Sequence, residues 1–318
     1  MRRVVLALSL LLMLALPAAA QNYPNKPVRM IVPYQAGQGT DVAARFVAER
    51  LGSALGQQVI VDNKPGAGGN IGTEAAAHSP NDGHTLLMGT VATQTMNEFL
   101  YPSTGYDSAK DFVPVILVGM LPMVISANPE FKAGTIQELI AAAKAQPDKI
   151  NIALPSTTAR LVYELFKAKT GAPLFGVPYK ASATAMTETM GGQVPLIIDT
   201  ATATRGHVQS GKLKAIAITT LKTSELLPGV KSVAEQGVDS FEVTAWAAMY
   251  APAGTPKEIV TRLNAEVAKI LALPETKQRL LQLGFDVAGG SPEQLGAFEK
   301  QERAKWGPVI KAAGLKAD

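Results

Sequence analysis

Short apolar runs rich in β-branched residues alternate along this chain with stretches whose apolar positions recur at helical spacing. "VRMIV" (28–32), "QVIVDN" (58–63), "HTLLMG" (84–89), "INIAL" (150–154), "VPLIID" (194–199) and "LKAIAITT" (213–220) predict strands. The stretch after "VRMIV" places Ala43, Val47, Leu51 and Leu55 on one helical stripe and leaves Arg45 and Glu49 free to pair on the other side. Further helix starts are marked by N-cap chemistry: Thr135 with Glu138, Thr255 with Glu258 and Pro256, and Ser291. Strands alternating with helices in this way predict an α/β architecture.

Two extended runs break the rhythm. "FVPVILVGMLPMVISANP" is too long for one strand of one sheet and carries Pro122 near its middle, so strands are expected over 112–119 and 123–127. "FEVTAWAAMYAP" (241–252) is the second, leading into the helix after Thr255. A pair of such segments suits two crossovers between lobes, a hinge that lets the lobes close on something between them. The division expected is 21–122 with 247–318 in one domain and 123–246 in the other.

Composition narrows the setting. Arg2 and Arg3, the apolar "VVLALSLLLMLAL" and the small-residue "ALPAAAQ" read as an export signal over residues 1–20, cleaved after Ala20. No other run could span a bilayer, since "VPVILVGMLPMVISA" is interrupted by Pro114, Gly119 and Pro122. The chain has no cysteine, which excludes disulfides, thiolate nucleophiles and a lipidated cysteine at the cleavage site. The net charge of +4 falls to 28 − 26 = +2 without Arg2 and Arg3, too weak for a nucleic-acid binder. The 318 residues less the leader leave about 298, in the range of two domains.

Polar, donor-rich positions recur at the carboxyl ends of strands, where open α/β sheets bind ligands. After "VRMIVPY" come Gln35-Ala36-Gly37-Gln38-Gly39-Thr40-Asp41, a glycine loop opening into a helix whose first N–H groups can face an anion. It is not a P-loop, because the lysine is missing, and Val42 stands where a dinucleotide fingerprint needs its third glycine. "NKPGAGGNIG" (63–72) reads as a tight turn before a helix start. "ALPSTTARLVYELF" repeats the strand, bend and helix layout with Ser156, Thr157 and Thr158. "VPYKASATA" contributes Tyr179 and Ser182, and Asp199-Thr200 ends an apolar run in which an aspartate is unexpected.

Catalytic patterns are missing. His78, His84 and His207 are scattered without ligand spacing and are expected at the surface. There is no G-x-S-x-G elbow, no H-E-x-x-H and no S-x-x-K with partners. Donors without a strong base describe a holder of carboxylates; an exported hydrolase or lyase acting on small carboxylates is the alternative.

The chain also resembles the solute-binding receptors of tripartite tricarboxylate transporters, the Bug-type family. The resemblance rests on "YPNKPVRMIVPYQAGQGTDVAAR", "VIVDNKPGAGGNIG", "DGHTLLMG", "DFVPVILVG", "VPYK", "GGQVPLIID", "GKLKAIAITT", "APAGTP" and "KWGPVIKAAG", in order from Tyr23 to the carboxyl end. It implies a two-lobed periplasmic binding protein of type II (Venus flytrap) with two hinge crossovers. Such a protein is a monomer that holds a small organic acid without a cofactor and delivers it to membrane permease subunits. It also implies ligand contacts from Tyr34, Gly37, Gln38, Gly39, Thr40, Asp41, Thr90 and Thr93 on one wall. Ser156, Thr157, Tyr179, Ser182 and Asp199 form the other wall.

This chain departs from the family pattern at Gln38, at Leu154-Pro155-Ser156, at Arg160 and at Ala181 after Lys180. These departures lead to the expectation that Arg160 or Lys180 engages a second carboxylate of the cargo, Arg160 by bidentate pairing.

Overall fold

The computed structural model describes residues 23–312 and 314–316; the export signal expected over 1–20 lies outside the described residues. β1 (Val28–Val32) runs parallel to β2 (Val59–Asn63) on one side and to β3 (Thr85–Thr90) on the other. α1 (Gly39–Leu55) joins β1 to β2, and α2 (Asn70–Ala77) joins β2 to β3. The stripe Ala43, Val47, Leu51 and Leu55 is buried against Val28, Met30, Val32 and Leu86, as its period predicts. The expected partner of Arg45 is wrong: its guanidinium pairs with Asp41 at 3.0 Å, while the exposed Glu49 lies 3.8 Å from Arg50. A buried carboxylate one turn back is the stronger acceptor.

After β3 come a π-turn (Ala92–Met96) and α3 (Asn97–Leu100), and then β4 (Phe112–Ala127). The break expected in β4 takes another form. β4 is one strand of 16 residues whose two halves pair in two different sheets, joined through it into one continuous path. Phe112–Pro122 pairs antiparallel with β9 (Thr244–Pro252), and Leu117–Met120 also faces β10 (Asp286–Gly289). From Met123 to Ala127 the partners become β7 (Leu196–Thr200) and β8 (Lys214–Ile218). Pro122 has no N–H to give, and it sits where the strand changes sheets, so the ladder loses little there.

The second sheet is completed by β5 (Asn151–Leu154) and β6 (Phe175–Pro178). Around it lie α4 (Ile136–Ala145), α5 (Thr157–Thr170), α6 (Ser182–Met190) and α7 (Ala201–Gln209). α8 (Lys257–Ala272), α9 (Pro274–Gln282) and α10 (Pro292–Ala312) return to the first lobe. Strands β6 and β10 were not legible because their four residues are half-buried or exposed and show no apolar alternation.

The capping expectations divide. Thr135 and Glu138 form a reciprocal capping box at α4, and Ser291 accepts the Gln294 N–H at 3.2 Å. Thr255 does not cap α8: the helix begins after an extended Pro256, and the Thr255 hydroxyl donates to Pro252 O at 2.7 Å.

Two strands carry the chain between lobes, and a packed contact adds to them. Arg205 on α7 donates to the Leu281 carbonyl at 2.7 Å, at the carboxyl end of α9 where a cation is favoured. Gly284 beside it has φ +88°, and a Cβ there would sit 2.5 Å from the backbone of Thr202. Only glycine lets α7 approach so closely. Among the described residues no helix is long and apolar enough to cross a membrane.

Candidate functional site

The glycine loop turns between Tyr34 and α1, with Gln38 N–H donating to Gln35 O at 3.3 Å. Gly37 takes φ +85°, a conformation that other residues resist, and its N–H donates to Asp41 Oδ2 at 2.8 Å. Asp41 is 2% exposed and also receives Arg45 Nε at 3.0 Å and Asn63 Nδ2 at 2.8 Å. Burial alone would raise its pKa; donation by Arg45, Gly37 and Asn63 outweighs it and holds the carboxyl below its ordinary value. Asn63 further donates to Tyr34 O at 3.0 Å. Asp41 and Asn63 thus brace the loop, and Asp41 has its carboxylate turned inward.

The start of α1 is a different surface. Gln38 at the N-cap makes no side-chain cap, so nothing on that residue covers the first N–H groups of Gly39 and Thr40. A Cβ on Gly39 would lie 3.0 Å from Leu121 and 3.8 Å from Thr202 Oγ1. The first lobe's glycine loop therefore meets the crossover strand and the start of α7 in the second lobe. Thr202 was not anticipated; its hydroxyl is buried with no hydrogen-bond partner.

Beside the loop, Tyr34 Oη lies 2.8 Å from Thr90 Oγ1. Burial pushes the Tyr34 phenol up to about 12, so it stays protonated and able to donate. Thr93 Oγ1 accepts the Thr90 N–H at 3.1 Å. The turn expected at 63–72 is present as a 3₁₀ turn (Ala67–Gly69) ahead of α2. Its place in the site was missed: a Cβ on Gly69 would strike Thr93 Cγ2 at 2.7 Å and Tyr34 Cζ at 3.3 Å. Tyr34, Thr90, Thr93 and Gly69 form one polar wall.

In the second lobe, Ser156 caps α5 by accepting the Ala159 N–H at 3.1 Å, and Thr157 begins that helix. Arg160 is half-buried near the start of α5, and Lys180 is exposed on the bend before α6. Ser182 opens α6 and donates to Asp199 Oδ2, while the Thr200 N–H donates to Asp199 Oδ1 at 2.7 Å. Asp199 is 4% exposed, and burial raises its pKa to about 6 against those two bonds. Thr200 also caps α7, accepting the Ala203 N–H at 3.3 Å.

The structure thus joins Ser182 to Asp199 across two helix starts. Tyr179 is oriented otherwise: its hydroxyl donates to Glu188, and burial followed by that carboxylate pushes it up to about 12.

His84 corrects the expectation of surface histidines, because its side chain is only 10% exposed and its ring meets Tyr23 edge-on at 5.1 Å. His78 is exposed and His207 half-buried. No group of three or more His, Cys, Asp or Glu that could hold a metal occurs among the described residues. Two surface grooves flank β2, lined by residues such as Arg29 and Gln57, and neither contains a residue of these walls.

The chain is similar to known proteins over most of its length. Residues 43–315 match the profile of a family described as tripartite tricarboxylate transporter family receptor. Protein BugT of Bordetella pertussis is 37% identical over 306 residues, covering 95% of this chain and 94% of BugT. A solved structure of R. palustris Rpa4515 with adipate superposes with a TM-score of 0.87 at 35% identity, over 92% of this chain and 99% of that one. MatC from Rhodopseudomonas palustris with bound malate gives 0.81 at 30% identity, over 91% of this chain and 100% of that one.

Proposed function

Because the chain belongs to the family of tripartite tricarboxylate transporter receptors, we propose that it captures a small dicarboxylic acid between its lobes and hands it intact to the membrane permease. The observation that carries this reading is the opposition of Gly39 and Thr202, which brings an uncapped helix start of one lobe against the start of α7 in the other. Relatives holding adipate and malate support the choice of a dicarboxylate.

In the open form, N–H groups of Gly39 and Thr40 with the Gln38 amide and the hydroxyls of Tyr34, Thr90 and Thr93 take the first carboxylate. Gly37 and Asp41 serve by holding the loop in shape, since their polar groups already face each other. The second lobe closes on the distal end through Ser156, Thr157 and Ser182, with Arg160 or Lys180 supplying the charge. Asp199 and Tyr179 orient that wall, Asp199 through Ser182. Closure follows from tighter binding to the closed form, because a ligand held equally by both forms shifts nothing.

The lobes divide at Pro122 and Met123; pairing of Thr244 with Pro122 supports placing the second crossing just before Thr244, up-chain of 247. The leader directs the mature monomer to the periplasm. The exported hydrolase or lyase finds no support in the relatives. Calorimetric titration with C4–C6 dicarboxylates tests the reading. Saturable binding with the acid recovered unchanged is expected; turnover of the acid, or no binding, would reject it.

A further inference from the structure

The π-turn (Ala92–Met96) opens the helical spacing just behind the Thr90–Thr93 wall. Such widening leaves carbonyls without their usual intrahelical donors, and single π-turns concentrate at functional sites. Here side chains from remote segments supply the donors. Tyr106 Oη donates to Thr93 O at 2.7 Å, Ser108 Oγ donates to Gln94 O at 2.9 Å, and Arg303 Nη2 donates to the same Gln94 O at 2.7 Å. Arg303 comes from α10, 209 residues further along the chain. It also reaches Ser108 Oγ at 2.9 Å and Glu98 Oε1 at 2.5 Å. Gln94 and Thr93 are 1% and 2% exposed, so their carbonyls cannot turn to water instead.

We propose that Arg303 is a positioning residue for the ligand wall: its fork clamps the π-turn, which sets Thr93, and Thr93 sets Thr90 and Tyr34. Its hydrogen bonds run to this turn, to α3 and to Ser108, and Glu98 meets its charge. A lysine could meet one of these acceptors but not present the planar fork that meets three. The inference rests on the receptor reading for its ligand.

The test combines two measurements on the full chain. Amide hydrogen exchange over residues 90–98 in the ligand-free protein reads the clamp, and the Kd for whichever of adipate and malate binds tighter reads the wall. Arg303→Gln is expected to speed exchange over 90–98 and to weaken Kd roughly tenfold. In a cycle with Thr93→Val the two losses should not add, because both act through Thr93. Exchange unchanged over 90–98, an unchanged Kd, or additive losses would each overturn the proposal. Should neither acid bind the unaltered protein, the dicarboxylate reading fails while the exchange arm still decides the clamp. If Arg303→Gln does not fold, Ser108→Ala removes a donor to the same carbonyl and carries the same comparison.

Discussion

Thr219 and Met123 exchange hydrogen bonds at the hinge: the Thr219 N–H donates to Met123 O at 2.9 Å, and the Met123 N–H donates to Thr219 Oγ1 at 3.0 Å. The Thr219 hydroxyl gives its one proton to Val243 O at 2.5 Å, and the Val243 N–H returns a bond to Thr219 O at 3.0 Å. Met123 follows Pro122 where β4 changes sheets and Val243 immediately precedes β9, so one fully buried hydroxyl ties both segments.

Thr219→Val keeps the shape and removes the hydroxyl, orphaning Met123 N–H and Val243 O. The cost is expected to be about 2–4 kcal/mol, one desolvated group each. Thr219→Ser keeps the hydroxyl and should lose only about 1 kcal/mol for the buried methyl. Urea denaturation midpoints check the order; equal stability of the two variants would remove the hinge hydroxyl from the account.

Asp41 braces the glycine loop as an ionised acceptor of three donors. Asp41→Asn turns an amide N–H toward one of them and should cost about 1–3 kcal/mol at neutral pH. It should also weaken ligand binding by loosening Gly37. The native carboxyl titrates below its unfolded value, so its contribution is present above the unfolded pKa and is lost as pH falls through the native one. The gap between Asp41→Asn and the parent, read from urea melts, should therefore close below about pH 4. A gap that persists in acid would point to packing rather than charge.

Asp199 has the opposite sign. Its native pKa near 6 lies above the ordinary value, so between about pH 4 and 6 the native state binds more proton than the unfolded chain. Stability drawn from the protonated form falls as pH rises through this window, by up to about 3 kcal/mol for two pKa units. Asp199→Asn cannot ionise, and its melting temperature should gain on that of the parent as pH is raised from 4 to 7. Parallel melting profiles would show that Asp199 is not held in a costly buried state.

Arg160 and Lys180 are the two cations proposed for the cargo's distal carboxylate. Arg160→Ala should weaken adipate binding about tenfold while changing hexanoate binding little, since the monocarboxylate has no distal group to pair. Lys180→Ala is the matched control for the other cation. Equal losses for both acids, measured by calorimetry, would assign Arg160 a structural role.

Much of this architecture is written locally. The stripe Ala43, Val47, Leu51 and Leu55 reads as helix because burial follows the period. Asp199 stands out as an aspartate near the end of an apolar strand, whereas Tyr34 and Thr90 are legible only through the family resemblance. Pro122 marked the right place with the wrong consequence: the strand continues through it and changes partners.

What stayed hidden depends on pairs distant in sequence. Thr219 looks like the end of an ordinary apolar run, yet its partner Met123 is 96 residues away. Asn63 and Arg303 hold the site through backbone carbonyls, and a carbonyl has no letter in the sequence. Tyr179 was visible as a polar residue, but its turn toward Glu188 is a rotamer choice that spacing does not encode.

The most direct test of lobe closure on a dicarboxylate is small-angle X-ray scattering of the purified protein, without and with saturating adipate or malate. The radius of gyration should fall on addition of the acid that calorimetry shows to bind. A radius unchanged at proven saturation would contradict closure.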